Sequence, residues 1–270
     1  MEYILILIII GIFVGITSGL LGIGGGFFMI PLQFFLLTSI GLDADLALRI
    51  SFGTSLAIII PTSITSIYIH NAKLKTIFKP GVFIGIFGMI GAMFGGVTSA
   101  HIPVNILEII LGIFLFLIAI YMIFNKKSES EKNEKLNLWV AGFSGLIIGF
   151  FSGLLGLGGG VFLIPVLVFL IGFSMREAIG ISSVFILLTG IGGTISYIIT
   201  GLGMNPFPYS IGYISLINLG AIAIFSIPFA FIGAKLAYKV SERKLELIFA
   251  ILIMYFGIKI LGIDPLSYLF

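Results

Sequence analysis

The sequence predicts an all-α polytopic membrane protein of two inverted repeats, each a glycine-broken helical hairpin followed by three transmembrane helices. Three observations predict it. Of 270 residues, 59% are hydrophobic and 9% charged, with 36 Gly besides, against roughly 25% charged in soluble domains. A segment recurs at a constant offset: SGLLGIGGGFFMIPLQFFL from Ser18 aligns with SGLLGLGGGVFLIPVLVFL from Ser152, the mark of an internal repeat. Finally, the Lys and Arg residues fall on one side of the membrane only if each glycine-broken run returns to the side it came from.

Apolar runs occupy about 3–38, 46–70, 77–100, 104–124, 137–172, 177–202, 209–238 and 244–263. The first opens with MEYILILIII, placing Glu2 where a secretory leader carries Lys or Arg, and no small-residue cleavage site follows. It therefore reads as a retained membrane segment. The first and fifth runs are too long to cross once, since 36 residues would make a helix of roughly 54 Å against a hydrocarbon core of about 30 Å. GLLGIGGG at 19–26 and GLLGLGGG at 153–160 supply the break, because glycine-rich backbone at that depth makes a non-helical turn. The next helix of each half begins around Ala47–Ser51 and Ala178–Ser182, reading ALRIS and AIGIS, with Pro61 and Pro228 set inside later runs as kink positions. Glu108 and Glu246 stand at the start of the last helix of each half, where a carboxylate suits the helix dipole or could serve proton coupling. KKSESEKNEK separates the halves, giving a first repeat at 1–124, a charged linker at 125–136 and a second repeat at 137–270.

The basic residues decide between crossing and folding back. If each long run crossed once, they would divide eight against six. If each folds back, Lys73, Lys75, Lys79, Lys126, Lys127, Lys132, Lys135, Arg176, Lys235, Lys239, Arg243 and Lys244 share one side, leaving Arg49 and Lys259 opposite. The second division obeys the positive-inside rule. Each half then has five elements, an odd number, so the halves sit upside down relative to each other. The 125–136 linker is expected on the cytoplasmic side of the cell membrane, with both termini and the 203–208 loop outward. Inverted repeats of this kind are a recurring transporter architecture whose site lies near mid-membrane between the repeats.

The same composition removes soluble enzymes and nucleic-acid binders, the net charge of +3 being small and scattered. Zero Cys removes disulfides, thiolate metal sites and Cys nucleophiles. Gly142-Phe143-Ser144-Gly145 matches the GxSG of rhomboid-type intramembrane proteases, but both His residues precede Ser144, the reverse of that family's order. With no HExxH and no aspartate-rich motif, neither a metal nor any other cofactor is expected, and no enzyme activity.

What the glycines can do follows from what comes after them. FFMIP and VFLIP resume a helix-compatible run, so free backbone N–H groups of a helix start lie at each turn, and such a start attracts anions. Two hairpins entering from opposite faces would bring Gly24, Gly25 and Gly26 near Gly158, Gly159 and Gly160, with Ser18 and Ser152 a helical turn or more away. The plainer reading of these glycines is close helix packing; duplication at matching places in two diverged halves favours a binding role. Ser51, Thr54 and Ser55, and Ser182 and Ser183 in the second half, could line the cavity with hydroxyls or bond back to their own helix carbonyls. Arg49 could draw an anion to the outer mouth or snorkel to the interface. His70 and His101 are expected at the interface.

The duplicated G-L-L-G-[IL]-G-G-G-x-F-[ML]-I-P, the charged central linker and the late GAKLAYK before a final apolar helix resemble the TauE/SafE family, the sulfite exporter or toluene-sulfonate uptake permeases, over essentially the whole chain. The resemblance places the family's glycine segments on Gly22 to Gly26 with Pro31, and on Gly156 to Gly160 with Pro165, so that Gly22, Pro31, Gly156 and Pro165 become hinge positions around the turns. It implies a secondary transporter of small sulfur-containing anions, sulfite or organosulfonates, with a proton or another ion as coupling partner and the lipid bilayer as surroundings. Export is the easier direction, since a potential negative inside drives an anion outward by about 2.3 kcal/mol per charge per 100 mV. An anion channel with the same site and a membrane structural or assembly subunit are the alternatives.

Overall fold

The structure is a computed structural model. It describes residues 2–73, 77–103, 138–204 and 207–241, with scattered positions between 106 and 120 and between 244 and 258. The 125–136 linker, Glu108 and Glu246 lie outside the described residues. The chain is almost wholly helical: α1 (Glu2–Leu21), α2 (Gly26–Ser39), α3 (Ala44–Lys73), α4 (Phe78–Ser99), α5 (Leu138–Leu155), α6 (Gly160–Pro165), α7 (Met175–Thr200) and α8 (Leu216–Ala237). A π-helical segment, Val166–Ile171, continues α6, and a small hairpin of β1 (Ser210–Ile211) and β2 (Ile214–Ser215) precedes α8. Among the described residues, five helices, α1, α3, α4, α7 and α8, contain stretches long and apolar enough to cross a membrane.

Both long runs break at their glycine clusters, between Leu21 and Gly26 and between Leu155 and Gly160. After the first break the chain folds back on itself, for the Phe28 ring meets the Phe13 ring edge-on with centroids 5.0 Å apart. A straight continuation would carry residue 28 more than about 20 Å beyond residue 13 at 1.5 Å per residue. Gly25 accordingly lies against Val14 and Ser18, and Gly159 lies against Ile148 and Ser152, the same contacts displaced by 134 positions. The two prolines after the turns behave differently. α2 runs unbroken through Pro31, whereas the second run passes into π-helix at Val166, immediately after Pro165.

Helix directions follow from the residues that meet. Gly11, Gly15 and Gly19 of α1 sit against Ile222, Ser226 and Ala230 of α8, so these two helices run parallel. Gly145, Gly149 and Gly153 of α5 sit against Ile84, Gly88 and Ala92 of α4, again parallel and again offset by 134 on the glycine side. A Cβ on Gly149 would fall on the Gly88 carbonyl and one on Gly153 on the Ala92 carbonyl, so small residues let these backbones touch where lipid provides no hydrophobic force between helices. The central pair α3 and α7 runs antiparallel: Gly53 meets Tyr197, Leu56 meets Gly190 and Gly193, Ser66 meets Ser183, and His70 meets Gly180. These two helices are the most deeply buried of the five, and the glycine turns rest between them.

Candidate functional site

The two turns have the same backbone. Gly22, Gly24 and Gly25 have φ of 63°, 78° and 71°, and Gly156, Gly158 and Gly159 have 67°, 79° and 78°. Side chains rarely adopt this left-handed region, which is why both turns read G-x-G-G. Gly25 and Gly159 then cap the helices that follow, and a helix start leaves its first backbone N–H groups without a carbonyl four residues back. Phe28 and Met29 donate to the Gly25 carbonyl and Phe162 and Leu163 to that of Gly159, leaving the N–H groups of Gly26 and Gly160 at the helix mouths.

The turns touch each other. A Cβ on Gly26 would lie 2.9 Å from the Leu157 carbonyl, and one on Gly160 would lie 2.8 Å from the Gly22 carbonyl. Ile59 of α3 and Ile186 of α7 pack against both Gly24 and Gly158, closing the junction on its sides. Residues 22–26 and 156–160 are all buried. Two hydroxyls from α7 pin the turns in place: Ser182 donates to the Gly22 carbonyl at 2.9 Å and Thr189 to the Gly158 carbonyl at 2.9 Å.

Of the residues singled out from sequence, Gly24, Gly26, Gly158, Gly160 and Ser182 come together at this junction, and Gly25 with Ser18, and Gly159 with Ser152, form its flanks. The hinge glycines Gly22 and Gly156 are wedged against Ile179 and Phe52. Other candidate hydroxyls are engaged elsewhere. Ser51 donates to the Ala47 carbonyl of its own helix at 2.7 Å, and Ser183 donates to Ile179 at 2.9 Å while meeting Ser66 at the same distance. Thr54 accepts from the Ser215 N–H at 3.0 Å, tying β2 to α3. Arg49 reaches away from the turns to donate to the Ser99 carbonyl at 2.7 Å, where a cation suits the end of α4.

Two buried hydroxyls beside the turns have no hydrogen bond, those of Ser55 and Ser152. Ser55 Oγ stands 2.9 Å from where a Cβ on Gly26 would be, at the start of α2, and Ser152 packs on Gly159. A buried polar group left unpaired costs about 1–3 kcal/mol. Sequence reasoning missed Thr189, and it missed Gln33, which accepts from Asn218 Nδ2 at 3.2 Å while Asn218 accepts from the Tyr3 hydroxyl at 2.6 Å. Gln33 was visible as a lone amide in FFMIPLQFFL facing Leu167 in the repeat. His70, expected at the interface, is fully buried, and His101 is exposed. The difference arises because α3 runs on to Lys73 and carries His70 under the end of α8, where Tyr238 bonds it.

These features define a multi-pass helical membrane protein whose two glycine turns meet in its interior. Residues 7–260 match the family described as Sulfite exporter TauE/SafE, and the chain belongs to that family of membrane transporters. It is 35% identical over 257 residues to a probable membrane transporter protein of Methanocaldococcus jannaschii, covering 94% of this chain and 93% of that one. A probable membrane transporter protein of Haemophilus influenzae is 28% identical over 95% of this chain and 97% of its own. The probable membrane transporter protein YunE of Bacillus subtilis is 28% identical over 73% of this chain and 78% of its own. No solved structure matches the chain.

Proposed function

We propose that this membrane transporter is a secondary carrier of small sulfur-containing anions, sulfite or organosulfonates, moved outward across the cell membrane and held between the two glycine turns. The observation that carries the reading is the meeting of the turns beside two unpaired buried hydroxyls, Ser55 and Ser152. Helix-start N–H groups and hydroxyls are neutral donors, and donors without formal charge bind an oxyanion loosely enough to release it. Burial of both turns favours a carrier over an open pore, because an anion reaches them only if the helices part.

The halves 1–124 and 137–270, with opposite orientation, are part of the proposal. With α2 folded back along α1, the antiparallel crossing of α3 and α7 and the parallel pairs α1–α8 and α4–α5 all suit two halves of opposite sense. The same sense would make α3 and α7 parallel. Rocking of one half against the other would then expose the turns to each side alternately. The residues assigned to the anion are Gly24, Gly25, Gly26, Gly158, Gly159 and Gly160 with Ser18, Ser55 and Ser152, while Ser182 holds the first turn.

Solute counterflow in proteoliposomes tests the reading, with vesicles preloaded in turn with sulfite, a simple organosulfonate, thiosulfate, sulfate and acetate. Uphill entry of the same labelled sulfur anion is the expected result. Downhill flux without counterflow would make the protein a channel, and flat traces from folded protein would remove the sulfur-anion assignment.

A further inference from the structure

Two junctions of like construction stand at opposite ends of the α3–α7 pair. At one end Arg49 of α3 donates to the Ser99 carbonyl at the end of α4, at 2.7 Å. The Ser99 hydroxyl bonds the Tyr197 hydroxyl of α7 at 2.8 Å, and Tyr197 donates to the Leu154 carbonyl at 3.2 Å, just ahead of the second glycine turn. At the other end Arg176 of α7 donates to the Val240 carbonyl beyond the end of α8, at 3.2 Å. The Tyr238 hydroxyl meets His70 Nδ1 of α3 at 2.8 Å, and the His70 ring faces the Gly19 carbonyl, just ahead of the first glycine turn. Each junction thus contains an arginine at the start of one central helix, a hydroxyl where the following helix ends, and a side chain from the other central helix turned toward the carbonyl before a turn. In the repeat alignment His70 falls on Gly201 and Tyr197 on Ser66, so the likeness is one of construction rather than of sequence.

They differ in one group. Near neutral pH the Tyr197 hydroxyl neither gains nor loses a proton, whereas an imidazole does both. Burial pushes the Tyr238 hydroxyl up to about 12, against the opposing pull of the Arg176 guanidinium, so it stays neutral and free to donate. With Tyr238 donating, His70 is a neutral imidazole accepting at Nδ1. Its Nε2 carries the proton, is buried, and makes no hydrogen bond of full geometry even to the Gly19 carbonyl it faces. A second proton would sit on Nδ1 and turn the Tyr238 bond round, the hydroxyl now accepting, and it would put a full charge on a side chain with no exposed surface. It would also place a cation beside Arg176, whose guanidinium lies 5.8 Å from the Tyr238 ring centre. Among the described side chains, the other charged groups toward this end of the packed elements are Glu177, Lys235, Lys239 and Lys79. The Glu177 carboxylate is held by the Ser174 N–H and hydroxyl of its own helix start, and Lys235 lies 4.1 Å over the Phe231 ring. A charge buried in this junction beside Arg176 favours the form in which water reaches the ring, and the junction parts.

We propose that His70 is a proton-binding site whose protonation unlatches the α3–α7–α8 junction, coupling proton uptake to movement of the anion through the glycine turns. The proton comes from water at that end and returns to it when the junction closes again on a neutral ring. Only the coupling rests on the transport reading; the unlatching stands without it.

The chain has no native Cys, so Ala237→Cys, at a buried position next to Tyr238, reports the junction alone. Its alkylation rate is measured in reconstituted protein between about pH 8 and about pH 5.5, spanning the imidazole range. Each rate is normalised to that of the unfolded chain, which removes the thiol's own titration. The expected result is several-fold faster normalised labelling at the acid end, lost in A237C/H70Q, with A237C/Y238F open at both ends. A flat profile with His70 present, or the same acid response in the His70→Gln background, overturns the latch. In proteoliposomes, His70→Gln is expected to keep counterflow but lose accumulation driven by a proton gradient. Unchanged gradient-driven accumulation overturns the coupling, whereas absence of counterflow in the unsubstituted protein strikes the anion reading and leaves the labelling result standing.

Discussion

The glycine turns and the helix-end junctions both occur twice in this molecule, but they are doubled in different ways. The turns are near copies, with matching φ at the three left-handed glycines of each and Gly25 and Gly159 resting on residues 134 apart. The junctions share a plan and almost no residues: tyrosine with serine at one end, histidine with tyrosine at the other. A part that must meet the same ligand from both sides is under one geometric requirement, so both copies keep it. The ends face different solutions and have no such reason to match. On the reading proposed above, the difference separates the region assigned to binding from the regions assigned to access.

The most severe test of that comparison lies in the turns. Gly22→Val and Gly156→Val each put a β-branched residue at positive φ. An added Cβ stands 2.6 Å from Ile179 Cγ2 in the first case and 2.5 Å from the Phe52 Cα in the second. Each variant is expected to lose on the order of 3 kcal/mol or more, enough to abolish monodisperse protein in detergent. Size-exclusion profiles and thermal unfolding read the result. A folded variant at one turn and an unfolded one at the other would mean the copies are not mechanically equal.

A smaller effect, opposite in sign for stability and function, is expected at the unpaired hydroxyls. Ser55→Ala and Ser152→Ala each remove a buried group that has no partner, so stability should hold or rise by about 1 kcal/mol. If these hydroxyls meet the anion, transport falls by roughly tenfold, the equivalent of one lost hydrogen bond of about 1.4 kcal/mol. Unfolding curves and counterflow rates on the same preparations decide it. A variant with unchanged transport takes that residue out of the site.

How much of this was legible beforehand depends on whether the signal was periodic or positional. The helical membrane character, the glycine breaks and the pairing of Gly22–Gly26 with Gly156–Gly160 are visible because they rest on composition and on a repeated string. The hydroxyls were harder. Ser51 and Ser182 are repeat-related, which invites the same role for both, yet a rotation of one helix face decides whether a serine bonds its own helix or a neighbouring turn. Ser182 reaches the Gly22 carbonyl and Ser51 turns back to Ala47. The burial of His70 was not legible from its position near the end of a run. Only the course of α8, placing Tyr238 over it, reveals the burial. Gln33 could have been found, since a lone amide in an apolar run needs a partner, but the partner, Asn218, is 185 residues away.

The finest test uses that serine pair. Ser182→Ala leaves the buried Gly22 carbonyl without its side-chain partner, which costs about 1–2 kcal/mol and loosens the first turn. Ser51→Ala removes only a bond to the carbonyl four residues back, already engaged in the helix, and should cost about 0.5 kcal/mol or less. The pair therefore measures how far the two halves have diverged around a shared plan, through unfolding free energies compared in one detergent. Equal and small costs would mean that the turns hold their shape by packing alone, with Ser182 incidental. Equal and large costs would mean that Ser51 reaches the second turn in another state of the protein, as Ser182 reaches the first in this one. That outcome would turn the asymmetry seen at rest into evidence for rocking between two forms, each pinning a different turn.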